Sequence, residues 1–172
     1  MKKRIIALGL LWCLFAVMLQ AARVDTVLVR SAAMNKDVKV VYVLPDKAIG
    51  KQACPVVYLL HGYGGNARSW VQLKPELPQM ADEKGIIFVC PDGKNSWYWD
   101  SPENPAYRYE TFVTSELVKY TDGNYATIPD RKARAISGLS MGGHGALWSA
   151  IRHKDVFGAA GSMSGGVDIR PF

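Results

Sequence analysis

The 172-residue sequence has no low-complexity tract and no internal repeat, which excludes a disordered chain and a solenoid. Cysteine is scarce. There are three, and Cys13 lies inside an apolar run directly after the bulky Trp12, a setting that excludes a lipid-anchored cysteine. The chain also lacks a cluster of like charge. Lys2, Lys3 and Arg4 are the cations of the first 22 residues, which hold no acid, so without them the net charge falls from +6 to +3. The remaining basic residues are interspersed with acids, so nucleic-acid binding has no electrostatic footprint here. Histidine is scarce too, limited to His61, His144 and His153.

What is present first is a leader. The basic start is followed by an apolar run from Ile5 to Leu19 and then by the small residues Ala21 and Ala22. That order predicts a signal peptide over residues 1–22, cut near Ala22, and hence a secreted or periplasmic protein with no stable membrane insertion after cleavage. The competing reading is an uncleaved anchor, since the run approaches the length of a short spanning helix. The whole sequence is 49% hydrophobic and 21% charged, an ordinary globular balance, and residues 23–172 are expected to form one domain. Cys54 starts one predicted strand and Cys90 ends another. If those strands are parallel neighbours, the thiols lie roughly 15–20 Å apart at about 3.3 Å per residue, too far for a disulfide. Two free, buried thiols are expected.

The pattern along the chain alternates between strands and helices. Val24–Ser31 and Val38–Leu44 are rich in β-branched residues and predict an antiparallel hairpin. Pro55–Leu60 and Ile86–Cys90 are continuous apolar runs, as expected of strands covered on both faces. Between them a helix is predicted at Leu77–Lys84, stopped by Gly85. Lys94–Tyr107 reads as a long loop and Tyr109–Tyr120 as a helix. Ala133–Ser137 is a further strand, a helix runs from about Gly142 to Arg152, and Phe157–Met163 is a fourth buried strand. This predicts an α/β fold with a mostly parallel sheet and an N-terminal antiparallel hairpin. Ligands in such sheets bind at the carboxyl ends of the strands, where every unusual loop of this sequence lies.

Gly138-Leu139-Ser140-Met141-Gly142 lies between a predicted strand and a predicted helix and matches the G-x-S-x-G elbow. The serine must sit in a tight, strained turn to raise its oxygen above the sheet. Residues two before and two after must therefore lack bulk, as Gly138 and Gly142 do. The N–H of Met141, at the helix start, then points toward a developing oxyanion. A chance match in a glycine-rich helix start is the bland alternative, but it does not supply the flanking strand and helix. His61-Gly62-Tyr63-Gly64-Gly65 follows the first buried strand and suits the second oxyanion donor, the main-chain N–H of Tyr63. A plain strand-to-helix turn would account for these glycines alone.

Together, Leu59–Gly65, Val89–Gly93, Ser96-Trp97-Tyr98 and Ser137–Ala146 resemble the esterase D family of α/β-hydrolases. That family includes feruloyl and acetyl xylan esterases, S-formylglutathione hydrolase and antigen 85 mycolyltransferases. The resemblance covers about residues 24–170. It implies an α/β-hydrolase fold, a Ser–His–acid triad, acyl-enzyme chemistry, and no metal or organic cofactor. Carried over by position, Ser140 is the nucleophile, and the N–H groups of Met141 and Tyr63 form the oxyanion hole.

The family's triad acid and histidine follow two further strands, so the domain reads as truncated before its last strands. Of the histidines present, His61 opens the oxyanion loop, His144 lies on the elbow helix and His153 ends it. None has the setting of a base. In the loop Asn95–Trp99, the faces of Trp97 and Tyr98 suit a sugar or phenolic ring, or else plug the core beneath the loop. Three functions stay open. One is an exported serine esterase acting on a small ester or an esterified polysaccharide, such as acetyl or feruloyl esters. The second is an acyltransferase of the same family, and the third a carbohydrate-binding remnant without catalysis. The sequence does not fix an oligomeric state.

Overall fold

The computed structural model describes residues 22–168. The chain begins with β1 (Arg23–Ser31) and β2 (Lys36–Leu44), an antiparallel pair in the register Arg23↔Leu44 to Ser31↔Lys36. A short helix α1 (Asp46–Ile49) leads to β3 (Val56–Leu60). Helices α2 (Ser69–Leu73) and α3 (Leu77–Lys84) precede β4 (Ile87–Pro91). A long loop then reaches α4 (Tyr109–Thr111), which continues through a π-helical turn, Phe112–Glu116, into α5 (Leu117–Asn124). The remaining elements are β5 (Arg134–Leu139), α6 (Met141–Arg152) and β6 (Ala159–Met163).

The six strands form one sheet in the order β1-β2-β4-β3-β5-β6. Pairing is antiparallel from β1 to β4 and parallel from β4 through β3 and β5 to β6. The strand periodicity divides the core into two layers. Val40, Tyr42, Val56, Tyr58, Leu60, Ile87 and Val89 pack on one face beneath Phe112, Leu117, Met141 and Ala146. Val41, Val43, Leu59, Phe88 and Cys90 pack on the other beneath Trp70, Leu77 and Ala81. Alternation explains why β3 and β4 read as unbroken apolar runs, since each neighbouring residue serves a different layer. Each such side chain contributes about 1.5–3 kcal/mol on burial. Gly85 ends α3 in a left-handed conformation, φ 63°. Cys54 and Cys90 are both free and buried.

The expectation of a fourth buried strand is corrected. β6 is exposed or half-buried throughout, and it forms the outer strand of the sheet among the described residues. Its Ala159, Ala160, Gly161 and Ser162 offer little apolar surface, so hydrophobic burial has little to act on. The predicted signal peptide lies outside the described residues apart from Ala22. No helix among the described residues is long and apolar enough to cross a membrane.

The helix bearing the π turn joins two parts of the fold. Before the turn, the buried Glu110 accepts hydrogen bonds from Trp148 Nε1, Arg152 Nε and His153 Nε2 on and after α6. At its last residue, Glu116 accepts from Ser31 Oγ and the Ala33 N–H at the β1–β2 turn.

Candidate active site

Ser140 occupies the junction of β5 and α6 with φ 53° and ψ −118°, a conformation costly to any residue with a Cβ. Its N–H donates to the Met163 carbonyl at 2.8 Å, and its carbonyl accepts the His144 N–H at 3.0 Å. The side chain is exposed above the sheet. The glycines around it are required by contact. A Cβ on Gly138 would overlap the Gly142 carbonyl. One on Gly142 would overlap the Leu60 carbonyl and lie 2.7 Å from the His61 oxygen. Helix α6 therefore starts against the end of β3, one residue earlier than the sequence pattern indicates, and Met141 is its first residue. The Met141 N–H has no partner inside the helix, as for every helical first turn.

The glycine loop after β3 lies against this elbow. A Cβ on Gly62 would stand 3.6 Å from Ser140 Cβ and 3.4 Å from the Leu139 oxygen. Most N–H groups of the loop are committed. His61 N–H donates to Tyr98 Oη at 2.9 Å, Gly64 N–H to Asn95 Oδ1 at 2.7 Å, and Gly65 N–H to the Gly62 oxygen at 3.0 Å. Among the described residues, the Gly62 and Tyr63 N–H groups have no such acceptor, and Gly62 lies beside Ser140. The Tyr63 side chain itself points outward and is 66% exposed.

All three histidines are occupied elsewhere. His61 is buried, with Nδ1 donating to the Gly62 oxygen at 2.7 Å and Nε2 accepting the Gly93 N–H at 2.9 Å. His144 Nε2 accepts the Trp99 indole N–H at 2.9 Å, and its Nδ1 donates to the Gly166 oxygen at 2.6 Å. A carbonyl can only accept and these N–H groups can only donate, so each ring carries its proton on Nδ1. His153 Nε2 is bound to Glu110 at 2.8 Å. Burial opposes the negative charge of Glu110, but the bonds from Arg152, Trp148 and His153 outweigh it and hold the carboxyl below its usual range. Burial likewise opposes charge on Asp92, and its contacts with His61 and Lys94 outweigh it, leaving the carboxyl well below its usual range. Lys94 is the effective partner, at 2.8 Å, because His61 Nε2 at 3.7 Å is beyond hydrogen-bond range.

The aromatic loop divides. Tyr98 is fully buried, and its ring lies against Gly93 and Gly145 while its hydroxyl meets both N–H and C=O of His61. It cannot form a substrate surface, which corrects that expectation: the hydroxyl has peptide groups to satisfy and the ring fills space that glycines leave. Trp97 is half-buried and packs edge-on to His144 at 5.5 Å. Trp99 and Trp148 complete the cluster, with ring centroids 5.6 Å apart. They also line a cleft of about 950 Å³ between α4–α5 and α6, together with Glu110, Thr114 and Arg152. Ser140 does not line it. Sequence reasoning did not single out Asn95, Trp99 or Glu110. Their partners lie 31, 45 and 38 or more residues away, with no local pattern to mark them. Among the described residues there is no cluster of His, Cys, Asp or Glu fit to hold a metal ion.

Comparison with known proteins gives a consistent group. Residues 31–171 match the model of the protein family described as "Putative esterase". An acetyl esterase of Caldicellulosiruptor saccharolyticus is 28% identical over 135 residues, covering 74% of this chain and 50% of the relative. A diacylglycerol acyltransferase/mycolyltransferase Ag85A of Mycobacterium gordonae is 34% identical over 155 residues, covering 84% of this chain and 43% of the relative. Among solved structures, a ferulic acid esterase superposes with a TM-score of 0.76 at 31% identity, covering 87% of this chain and 62% of the other. The chain spans about half the length of the curated relatives it matches.

Proposed function

The chain belongs to this esterase family and has its α/β-hydrolase fold, and from that premise we propose that it is an exported serine ester hydrolase with Ser140 as nucleophile. The observation that carries the reading is the strained, exposed Ser140 beside Gly62, in a glycine loop with two uncommitted N–H groups among the described residues. Ser140 Oγ attacks the ester carbonyl, and the Met141 and Tyr63 N–H groups hold the resulting oxyanion. Each such donor contributes about 3–4 kcal/mol to the transition state. The C–O bond to the alcohol breaks, the alcohol leaves with a proton, and water then releases the acid from the acyl-serine. The general base is none of this chain's three histidines: both ring nitrogens of His61 and His144 are bound elsewhere, and His153 Nε2 is held by Glu110. Acetyl or feruloyl esters of polysaccharides are the proposed substrates, supported by relatives named for acetyl and ferulic acid esters and by the half-buried Trp97 beside the elbow. No cofactor is needed for these steps.

The experiment is covalent labelling with an alkyl fluorophosphonate, read by peptide mass spectrometry. Ser140 takes the label, and Ser140→Ala abolishes it. Label on another residue, or on none, sinks the reading and favours a binding remnant. The relative named as an acyltransferase supports a second reading, transfer to a hydroxyl acceptor in place of water. The product ratio with and without added alcohol separates the two.

A further inference from the structure

The loop that follows β4 carries a local anomaly. Lys94, Trp97 and Tyr98 all have positive φ, at 50°, 56° and 60°, and none is glycine. Such conformations cost about 1–3 kcal/mol each and persist only where surrounding contacts enforce them. Several of the loop's hydrogen bonds run to the glycine loop after β3. Tyr98 Oη accepts the His61 N–H at 2.9 Å and donates to the His61 oxygen at 3.2 Å, so one hydroxyl grips both ends of that residue. The Gly93 N–H donates to His61 Nε2 at 2.9 Å. Asn95 Oδ1 accepts the Gly64 N–H at 2.7 Å. Within the brace itself, Ser96 Oγ donates to the Gly93 oxygen at 2.6 Å and accepts the Tyr98 N–H at 3.0 Å.

The consequence lies in what is left between the anchors. His61 is fixed on one side of Tyr63 and Gly64 on the other, and Tyr63 has no backbone partner of its own among the described residues. Gly64 has φ 75°, and a Cβ on it would meet nothing within 4 Å, while the next residue is tied back by the Gly65 N–H to the Gly62 oxygen at 3.0 Å. Among the described residues, Asn95 is the one side chain hydrogen-bonded to Gly64. We propose that Asn95 is a positioning residue for the oxyanion hole: by holding the Gly64 N–H, it fixes the Tyr63 peptide so that its N–H faces the carbonyl attacked by Ser140. This rests on the reading of Ser140 as nucleophile. It adds a residue that touches neither substrate nor serine.

Asn95 is exposed, so its replacement leaves the core intact. The test compares wild type, Asn95→Ala, which removes the acceptor, and Asn95→Asp, which keeps one. The probe is an alkyl fluorophosphonate, whose phosphoryl oxygen must occupy the place of the oxyanion. Asn95→Ala lowers the maximal labelling rate at Ser140 about three- to tenfold with the half-saturating concentration unchanged, a fraction of the loss from deleting a donor outright. Asn95→Asp restores the rate to near wild type, and all three proteins share one melting temperature. An Asn95→Ala rate equal to wild type overturns the proposal, as does an Asn95→Asp rate no better than that of the alanine variant. If wild type itself takes no label, the nucleophile reading falls. Amide hydrogen exchange then decides the brace alone: Gly64 and Tyr63 exchanging faster in Asn95→Ala but not in Asn95→Asp upholds it, and unchanged exchange overturns it.

Discussion

On the β4 side of Ser140, the glycine loop is tied to a second loop by directional bonds: the Tyr98 and Asn95 side chains accept from the His61 and Gly64 N–H groups, and the His61 side chain accepts from the Gly93 N–H. On the β6 side, contact is made mostly by backbone and by small residues, with one side-chain bond, from His144 Nδ1 to the Gly166 oxygen. Ser140 N–H meets the Met163 carbonyl, and Gly143 approaches Gly165 so closely that a Cβ on Gly143 would stand 3.0 Å from the Gly165 Cα. The side chains of Met163 and Val167 on that flank are exposed. A flank that must present N–H groups at fixed points is held by directional bonds. A flank that must let a helix start close to the sheet is held by the absence of side chains. The first is sensitive to deletion of a polar atom, the second to addition of a carbon.

That contrast can be tested at three strengths. Gly142→Ala has the largest expected effect, because its new methyl meets the Leu60 and His61 carbonyls rather than a movable side chain. Destabilisation of about 3 kcal/mol or more is expected, seen as loss of a cooperative thermal transition. A wild-type melt would mean that the elbow yields more readily than its contacts indicate. Tyr98→Phe is intermediate: it keeps the ring but leaves the buried His61 N–H unpaired, for a loss of about 1–3 kcal/mol in denaturant unfolding. Met163→Ser is smallest, within about 0.5 kcal/mol, because the side chain is 42% exposed and its role is carried by its carbonyl. A loss as large as that of Tyr98→Phe would erase the difference between the flanks.

Much of this was readable from the amino-acid pattern where the determinant is local. Val56–Leu60 and Ile87–Pro91 announce themselves by apolar runs, the hairpin by its β-branched residues, and the end of α3 by Gly85. The elbow is legible because steric demand forces glycines two residues either side of Ser140. Where the determinant is distant, the sequence is silent. Helix α2 is five residues long with no side-chain cap, and it is held by the burial of Trp70. Tyr98 reads as well for a ligand surface as for core until its partner His61, 37 residues away, is in view. Positive φ at three non-glycine residues of one loop has no composition signal at all. The exposure of β6 follows from its small side chains, but its strand character was the stronger signal.

The π-helical turn at Phe112–Glu116 has a mechanical consequence. One residue more than an α-helical turn requires shifts the phase of everything after it by about 100°. Glu116, the last residue of the turn, reaches the hairpin turn while Glu110, ahead of the turn, grips α6. The helix thus acts as a tie rod with its two fittings set at a chosen angle, coupling the antiparallel margin of the sheet to the helix that begins beside Ser140. A shortened rod would keep its length of contact with the core and lose its grip at one end.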